Sequence, residues 1–142
     1  MSLPSDALRR PSPVLGRSGA VEGSGPDAGV AWHYGDPVGE QRALEAGGAV
    51  VDQSHVGVVT VTGPDRLRWL HSITSQHLEH LAARHSTETL VLSPHGHIEH
   101  AAGVVDDGAT TWLLTESAPG LAAWLDSMRF TLRVEVEDVT DR

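Results

Sequence analysis

Two short stretches of the sequence hold side chains of the types that carry out chemistry. The first contains Asp52, Ser54 and His55, the residue types of a nucleophilic hydrolase triad. Triad members must converge from separate elements, and the sequence has no Gly-x-Ser-x-Gly pattern of the kind that exposes a nucleophilic serine. We therefore predict no catalytic residue. We interpret Asp52 and Ser54 as caps for backbone N–H groups, and His55 as hydrogen-bonded or lining a cavity.

The second stretch places His95, His97 and Glu99 at alternate positions. Alternate side chains of a strand share one face about 6.6–7 Å apart, so these three groups could converge on zinc or iron. His95 lies in a Ser-Pro-His-Gly turn, however, and a histidine-rich hairpin tip is typical of a solvated surface. We predict no metal site, and a His-rich metal-binding module stays open as an alternative. His77 and His80 are interpreted as an exposed helix surface.

The element that must position the first stretch is a strand. Six of the seven residues from Val56 to Thr62 are Val or Thr, which are restricted at χ1 and pack well on a pleated surface. Gly63-Pro64-Asp65 then ends the strand and starts a helix, because Pro suits a first helical turn. The sequence therefore predicts a buried strand with a polar loop at its entrance, where we expect a ligand.

Composition excludes several classes of protein. The chain of 142 residues has no Cys, which excludes disulfides and cysteine nucleophiles within it. The formal net charge is −9, and the scattered Arg residues predict no nucleic-acid partner. No apolar run approaches the ~20 residues of a membrane-spanning helix and no signal peptide is evident, so we expect no membrane partner and a cytoplasmic location. The Ala, Gly and Arg bias is typical of a high-GC bacterial genome.

The order of predicted elements indicates the fold class. Residues 1–29 are rich in Pro, Ser and Gly and are predicted to be a disordered leader, with one ordered domain over 30–142. A short helix is expected between Asp36-Pro37 and Gly47-Gly48. After the central strand, the pattern predicts the following elements: a helix near Pro64–Ser72, further helical turns over Gln76–Ala83, strands at Leu90–Leu92, His97–Val105 and Thr110–Thr115, a helix around Leu121–Met128 and a strand over Leu132–Glu137. This order is typical of an α+β fold, with a mostly antiparallel sheet and helices on one side.

Several motifs in order carry a family resemblance. Asp52-x-Ser54-His55-x-Gly57, then Gly63-Pro64-Asp65, and Ser93-Pro94-His95-Gly96-His97-Ile98 are similar to segments of the folate-binding aminomethyltransferase superfamily. This superfamily comprises the glycine-cleavage T-protein and its YgfZ-type relatives. The resemblance implies the first lobe of that fold and tetrahydrofolate as the bound cofactor. It places Val56 and Thr60 on the wall of the pteridine pocket, with Ser54, His55, Tyr34 and Ala101 as further pocket candidates.

Two departures from the family bear on the function. Ala101 stands at the position that matches the catalytic aspartate of the T-protein, and an Ala side chain can neither accept a hydrogen bond nor transfer a proton. The resemblance therefore favours a YgfZ-type accessory protein of iron–sulfur cluster assembly or repair, with iron–sulfur proteins as partners. The alternative is an aminomethyltransferase of glycine cleavage. Family members are longer, so we expect the chain to correspond to their N-terminal portion.

Overall fold

The structure is a computed structural model, and it describes residues 11–141. The chain divides into two compact units between His55 and Val56. The sequence predicted one domain over 30–142, so the observed division lies further along the chain than the predicted boundary. Each unit is described by itself.

The first unit is built from short elements. It contains 3₁₀ turns at Pro13–Gly16 and Gly25–Asp27, and a two-stranded antiparallel sheet of β1 (Val21–Glu22) and β2 (Ala31–His33). These turns and β1 lie in the segment 1–29 that was predicted to be a disordered leader, of which residues 1–10 lie outside the described part. Ser, Pro and Gly form local turns here, and the Ser12 N–H donates to the Gly29 carbonyl over 2.8 Å.

Helix α1 (Pro37–Glu45) confirms the short helix predicted from its flanking residues. The carboxylate of Asp36 accepts the Gly39 N–H over 3.0 Å, as an N-cap residue does. Glu40 accepts the Tyr34 N–H over 2.8 Å and thereby ties the preceding chain to the first turn. The helix ends before Gly47, whose φ of +72° suits a residue without a Cβ atom.

The second unit is a five-stranded antiparallel sheet with two helices. Its elements in chain order are β3 (Gly57–Thr62), α2 (Arg66–Ile73), β4 (Ser86–Leu92), β5 (Ile98–Asp106), β6 (Thr110–Thr115), α3 (Ala118–Met128) and β7 (Glu135–Asp138). The strand order across the sheet is β4-β5-β6-β3-β7. The valine-rich β3 is an interior strand paired with β6 and β7. The α+β fold with an antiparallel sheet is confirmed.

Both helices of this unit pack on one face of the sheet. Trp69 and Leu70 of α2, with Leu121 and Leu125 of α3, share a buried cluster with Val59 of β3. The alternate positions of the strands form the opposite face, here called the open face. It carries Val58, Glu88, Leu90, Glu99, Ala101, Gly103, Trp112, Leu114 and Glu137. Trp112 and Leu114 keep 37% and 36% of their surface exposed, so this face presents apolar side chains to solvent.

Three predicted boundaries were wrong. Residues 76–83 form no helix, because the segment is held by side chains instead: His71 Nδ1 accepts the Leu78 N–H over 3.3 Å, and the Gln76 amide donates to Thr87. Strand β4 begins at Ser86, earlier than expected. Strand β7 begins only at Glu135, because Leu132 and Val134 donate their N–H groups to local turns. Within residues 11–141, no helix is long and apolar enough to span a bilayer.

Candidate functional site

The open face contains a depression of about 430 Å³, here called the open-face depression. Its apolar lining includes Val56, Leu90, Ala101 and Leu114, and its polar lining includes the residues Glu88, Glu99, His100, Glu116 and Ser117. Small-molecule sites are commonly ~300–1,000 Å³ in volume, with a mainly apolar lining and a few polar groups. The depression therefore has the size and character of a site for a small organic ligand.

The depression exists because the sheet opens at one end. Strand β5 is paired with β4 as far as Ile98, but its ladder with β6 ends at the Gly103–Leu114 pair. Strand β6 ends at Thr115, and the chain then turns into α3, which begins at Ala118. A space is thus left beside residues 99–101 of β5, which line the depression.

Gly57 permits the close packing that shapes one wall of this space. An added Cβ at Gly57 would lie 2.7 Å from the Cβ of Ala118 and 3.1 Å from the carbonyl oxygen of Thr115. Only a residue without a side chain allows the first turn of α3 to approach the start of β3 this closely. Val56 and Ser117, which line the depression, lie next to these contacts in the chain.

Two residues predicted from the family resemblance meet in the open-face depression. Val56 and Ala101 both line it, although they are 45 positions apart in the sequence. Thr60 lies on the same face but outside the lining, between Trp112 and Glu137 of the neighbouring strands. It is 7% exposed, and its hydroxyl lies 3.5 Å from the Glu137 carbonyl oxygen. Val56 and Ala101 therefore line the same depression, whereas Thr60 lies within the sheet and outside that lining.

The remaining pocket candidates, Ser54, His55 and Tyr34, belong to the first unit. The Ser54 N–H donates to the Asp52 carboxylate over 3.0 Å, as the capping interpretation predicts. The Ser12 hydroxyl also donates to Asp52, and this bond, followed by the one from Ser54, lowers the pKa of Asp52. His55 Nε2 lies 3.4 Å from Asp27, and its Nδ1 is buried without a hydrogen-bond partner. The Asp52, Ser54 and His55 side chains therefore do not form a hydrolase triad.

The structure does not place His95, His97 and Glu99 on one face of a strand, as the predicted metal-binding arrangement requires. His95 and His97 precede β5, which begins at Ile98, so they are not on the strand with Glu99. All three are exposed. Within the described part of the chain, no group of three or more His, Asp or Glu side chains is arranged to hold a metal ion.

The second histidine group also differs from its prediction. His71 and His77 stack edge to face with ring centroids 4.4 Å apart, and His77 and His80 lie 5.7 Å apart. These contacts occur in an irregular segment and not on one helix, because His71 Nδ1 is engaged by the Leu78 N–H.

Sequence analysis missed Glu88 and considered Glu99 only as a candidate metal ligand. Glu99 lies at the register shift of the β4–β5 ladder and lines the depression. Glu88 precedes Leu90 by two positions on β4, and the period of two places both residues on the same face. That signal was present in the sequence, but the register that brings β4 and β5 together was not.

Comparisons with known proteins identify the fold. No family model matches the sequence, and no curated protein matches it. A solved structure of the glycine cleavage system aminomethyltransferase T from Bartonella henselae is similar, with a TM-score of 0.68 and 17% sequence identity. The similarity covers 89% of this chain and 36% of that chain, so this chain spans about a third of the length of the aminomethyltransferase. At this identity the likeness concerns the fold, and this chain has the fold of part of an aminomethyltransferase T.

Proposed function

We propose that this chain binds tetrahydrofolate in the open-face depression. The observation that carries the proposal is the meeting of Val56 and Ala101 in one apolar hollow of about 430 Å³. The family resemblance assigns both positions to the pocket. Their convergence, together with the aminomethyltransferase-like fold, supports a site for a flat heteroaromatic ring.

The lining suits such a ring physically. Val56, Leu90 and Leu114 offer apolar contact to the faces of a pteridine, and burying such surface stabilises binding by about 25 cal/mol per Å². The carboxylates of Glu88 and Glu99 can accept hydrogen bonds from amino groups at the ring edge. The same carboxylates repel the negatively charged glutamate tail of a folate, so the tail extends away from this rim.

We further propose a YgfZ-type accessory role in iron–sulfur cluster assembly or repair, in the cytoplasm, with iron–sulfur proteins as partners. Ala101 supports this choice, because the depression has no aspartate at the position that the family resemblance makes catalytic. A methyl group cannot move a proton or orient the reacting nitrogens of a folate. The protein then binds the cofactor without transferring an aminomethyl group.

Calorimetric titration with tetrahydrofolate under reducing conditions tests the binding proposal. We expect saturable binding to the unmodified chain and at least a tenfold loss of affinity in Ala101→Trp, because the large ring fills the depression. Ala123→Trp is the matched control, since Ala123 is exposed on α3 and lies outside the lining. The absence of binding at millimolar ligand, or equal binding by both variants, would overturn the proposal.

The rival function is aminomethyl transfer, and the fold likeness to an aminomethyltransferase T favours it. The two functions differ at one side chain. Ala101→Asp restores the carboxylate, and transfer of the methylene carbon of an aminomethyl donor to tetrahydrofolate, with release of ammonia, would then favour the transferase. Unchanged folate binding without such transfer in Ala101→Asp supports the accessory role.

A further inference from the structure

One wall of the open-face depression is the edge of a β-strand, at a point where the hydrogen-bonded ladder with the neighbouring strand has stopped. Strand β5 runs from Ile98 to Asp106, but within residues 11–141 its ladder with β6 stops at Gly103 and Leu114. Residues 99–101 therefore have β4 on one side and the open-face depression on the other.

The direction of the Ala101 peptide groups follows from the residue opposite it. Leu90 faces Ala101 in the β4–β5 register. Leu90 turns away from β5, because its N–H donates to the Ser75 hydroxyl and its carbonyl accepts the Ser75 N–H, both over 2.9 Å. Opposed residues in an antiparallel pair either exchange both bonds or both point away. Ala101 therefore points its N–H and C=O towards the depression.

A second contact gives the same direction independently. The Asp107 N–H donates to the Thr110 carbonyl over 3.0 Å at the β5–β6 turn. Backbone groups two residues apart on a regular strand point the same way, so the groups of Gly103 and Ala101 face the β6 side as those of Asp107 do. The β4–β5 register shifts between Ile98 and His100, so this regular period ends at Ala101. Gly103 meets Leu114 on the β6 side, and Ala101 meets the space of the depression.

The side chains around this edge set the chemistry of a segment that could pair with it. Glu88 and Glu99 line the depression, and none of the lining residues within 11–141 is Lys or Arg. Leu90, Leu114 and Val56 provide apolar contact. Thr89 also lines the space, is 5% exposed, and has a buried hydroxyl without a hydrogen-bond partner. An unpaired strand edge with pockets for alternate side chains is the arrangement by which sheets add an extended peptide.

We propose that the open-face depression binds an extended, positively charged peptide segment of a partner protein, which pairs with β5 at Ala101. The peptide donates to the Ala101 carbonyl and accepts from the Ala101 N–H. An apolar side chain contacts Leu90 and Leu114, and flanking Arg or Lys side chains pair with Glu88 and Glu99. The peptide proposal does not require that folate binds, and where both ligands bind they compete, because they share Val56 and the apolar lining.

Amide hydrogen exchange of the free protein, followed by NMR, tests the edge directly. We expect the Ala101 N–H to exchange at least tenfold faster than the Gly103 N–H, because Gly103 is paired with Leu114. The probe Ac-Arg-Thr-Leu-Thr-Arg-NH₂ should then slow the exchange of Ala101. Equal protection of Ala101 and Gly103 in the free protein would overturn the proposal.

Two backbone-methylated versions of the probe separate strand pairing from attraction between charges. One version carries N-methyl groups at its second and fourth residues, and the other at its first, third and fifth. A peptide that pairs along one edge donates from the N–H groups of alternate residues, so N-methylation removes its hydrogen bonds in only one of the two versions. We expect one version to bind at least tenfold more weakly while the other stays within threefold of the parent. Equal affinities for both versions would contradict strand pairing.

The charge requirement is tested with matched glutamine variants. Glu88→Gln and Glu99→Gln should each weaken binding of the probe about three- to tenfold. Glu135→Gln removes the same charge from β7, outside the lining, and should leave the affinity unchanged. An equal loss in Glu135→Gln would show that only the net charge matters and would overturn the proposal. Tetrahydrofolate is titrated in a separate experiment. If only the peptide fails to bind, the peptide proposal is rejected, and if only tetrahydrofolate fails to bind, the folate proposal is rejected.

Discussion

Arg66 and Asp106 form a bidentate ion pair that links the start of α2 to the end of β5. Arg66 Nε lies 2.8 Å and Nη2 2.9 Å from the two carboxylate oxygens of Asp106. The carboxylate is 2% exposed and also accepts the Thr111 hydroxyl over 2.6 Å and the Gly108 N–H over 2.9 Å. Every side of this buried charge is therefore engaged by donors, which is what makes its burial tolerable.

Asp106→Asn should strongly destabilise the second unit. The substitution leaves the Arg66 guanidinium, which is 13% exposed, without its counter-charge. Removing one partner of a buried pair costs roughly 3–5 kcal/mol, and the remaining Asn oxygen recovers part of this, so we expect a loss of about 3 kcal/mol in the free energy of unfolding. Urea unfolding provides the measurement.

Asp126→Asn is the control for that loss. Asp126 pairs with Arg129 on the surface of α3, with side chains 57% and 42% exposed, and such pairs contribute less than about 1 kcal/mol. Equal stabilities of Asp106→Asn and Asp126→Asn would show that the Arg66–Asp106 pair does not hold the fold.

The same pair makes stability depend on acid pH. Burial by itself would raise the pKa of Asp106, but the hydrogen bonds from Arg66, Thr111 and Gly108 lower it below its ordinary value. A carboxyl with a depressed pKa in the folded state contributes stability that is fully present above the unfolded pKa of ~3.9, and this contribution is lost as the pH falls through the folded value. Unfolding free energies measured at pH 7, 5, 4 and 3 should fall below about pH 4. Asp106→Asn should show a shallower fall, and an equal slope in both proteins would contradict this assignment.

Trp112 is hydrogen-bonded to a second carboxylate, that of Asp107 in the turn between β5 and β6. The Trp112 indole N–H donates to Asp107 over 2.9 Å. This bond, with the N–H groups of Thr110 and Ala109, lowers the pKa of Asp107 to about 2. The NMR signal of the Trp112 indole proton should therefore stay constant from pH 7 to pH 4 and shift only as the pH approaches about 2. A shift centred near pH 4 would mean that the bond is absent, and Asp107→Asn should abolish the low-pH shift.

The predictable parts of this fold are those specified by neighbours in the sequence. Asp36 and Pro37 fix the start of α1, the β-branched run fixes β3, and Asp107-Gly108 fixes the β5–β6 turn. Each of these depends on residues within a few positions, so local rules were sufficient. Helical turns over 76–83 were predicted from the same rules and are absent, because contacts with His71 and Thr87 determine that segment.

The candidate site could be predicted only in part for the same reason. The family resemblance selected Val56 and Ala101, but their convergence depends on where the β5–β6 ladder ends. Neither the end of that ladder nor the opposition of Leu90 and Ala101 follows from hydrophobic periodicity. Glu88 became a candidate, and Glu99 became a candidate for this depression, only when the register was known.

Gly57 and Ala118 should show coupled effects on stability. Gly57→Ala places a Cβ 2.7 Å from the Cβ of Ala118, and such overpacking costs about 1–3 kcal/mol. Ala118→Gly removes the obstructing methyl group, so the double variant should lose less stability than the sum of the two single variants. Urea unfolding of all four proteins gives the coupling energy, which we expect to exceed about 1 kcal/mol. Additive losses would mean that α3 does not pack on Gly57.

The most direct test of the proposed function maps tetrahydrofolate onto the backbone amides by NMR titration. The open-face depression predicts that the largest shifts occur at Val56, Leu90, Ala101 and Leu114, which line it. Thr60 should shift less, because it lies in the sheet between Trp112 and Glu137. Shifts clustered at these four lining residues and absent in Ala101→Trp would support the account. No shifts at millimolar ligand, or shifts confined to other parts of the chain, would contradict it.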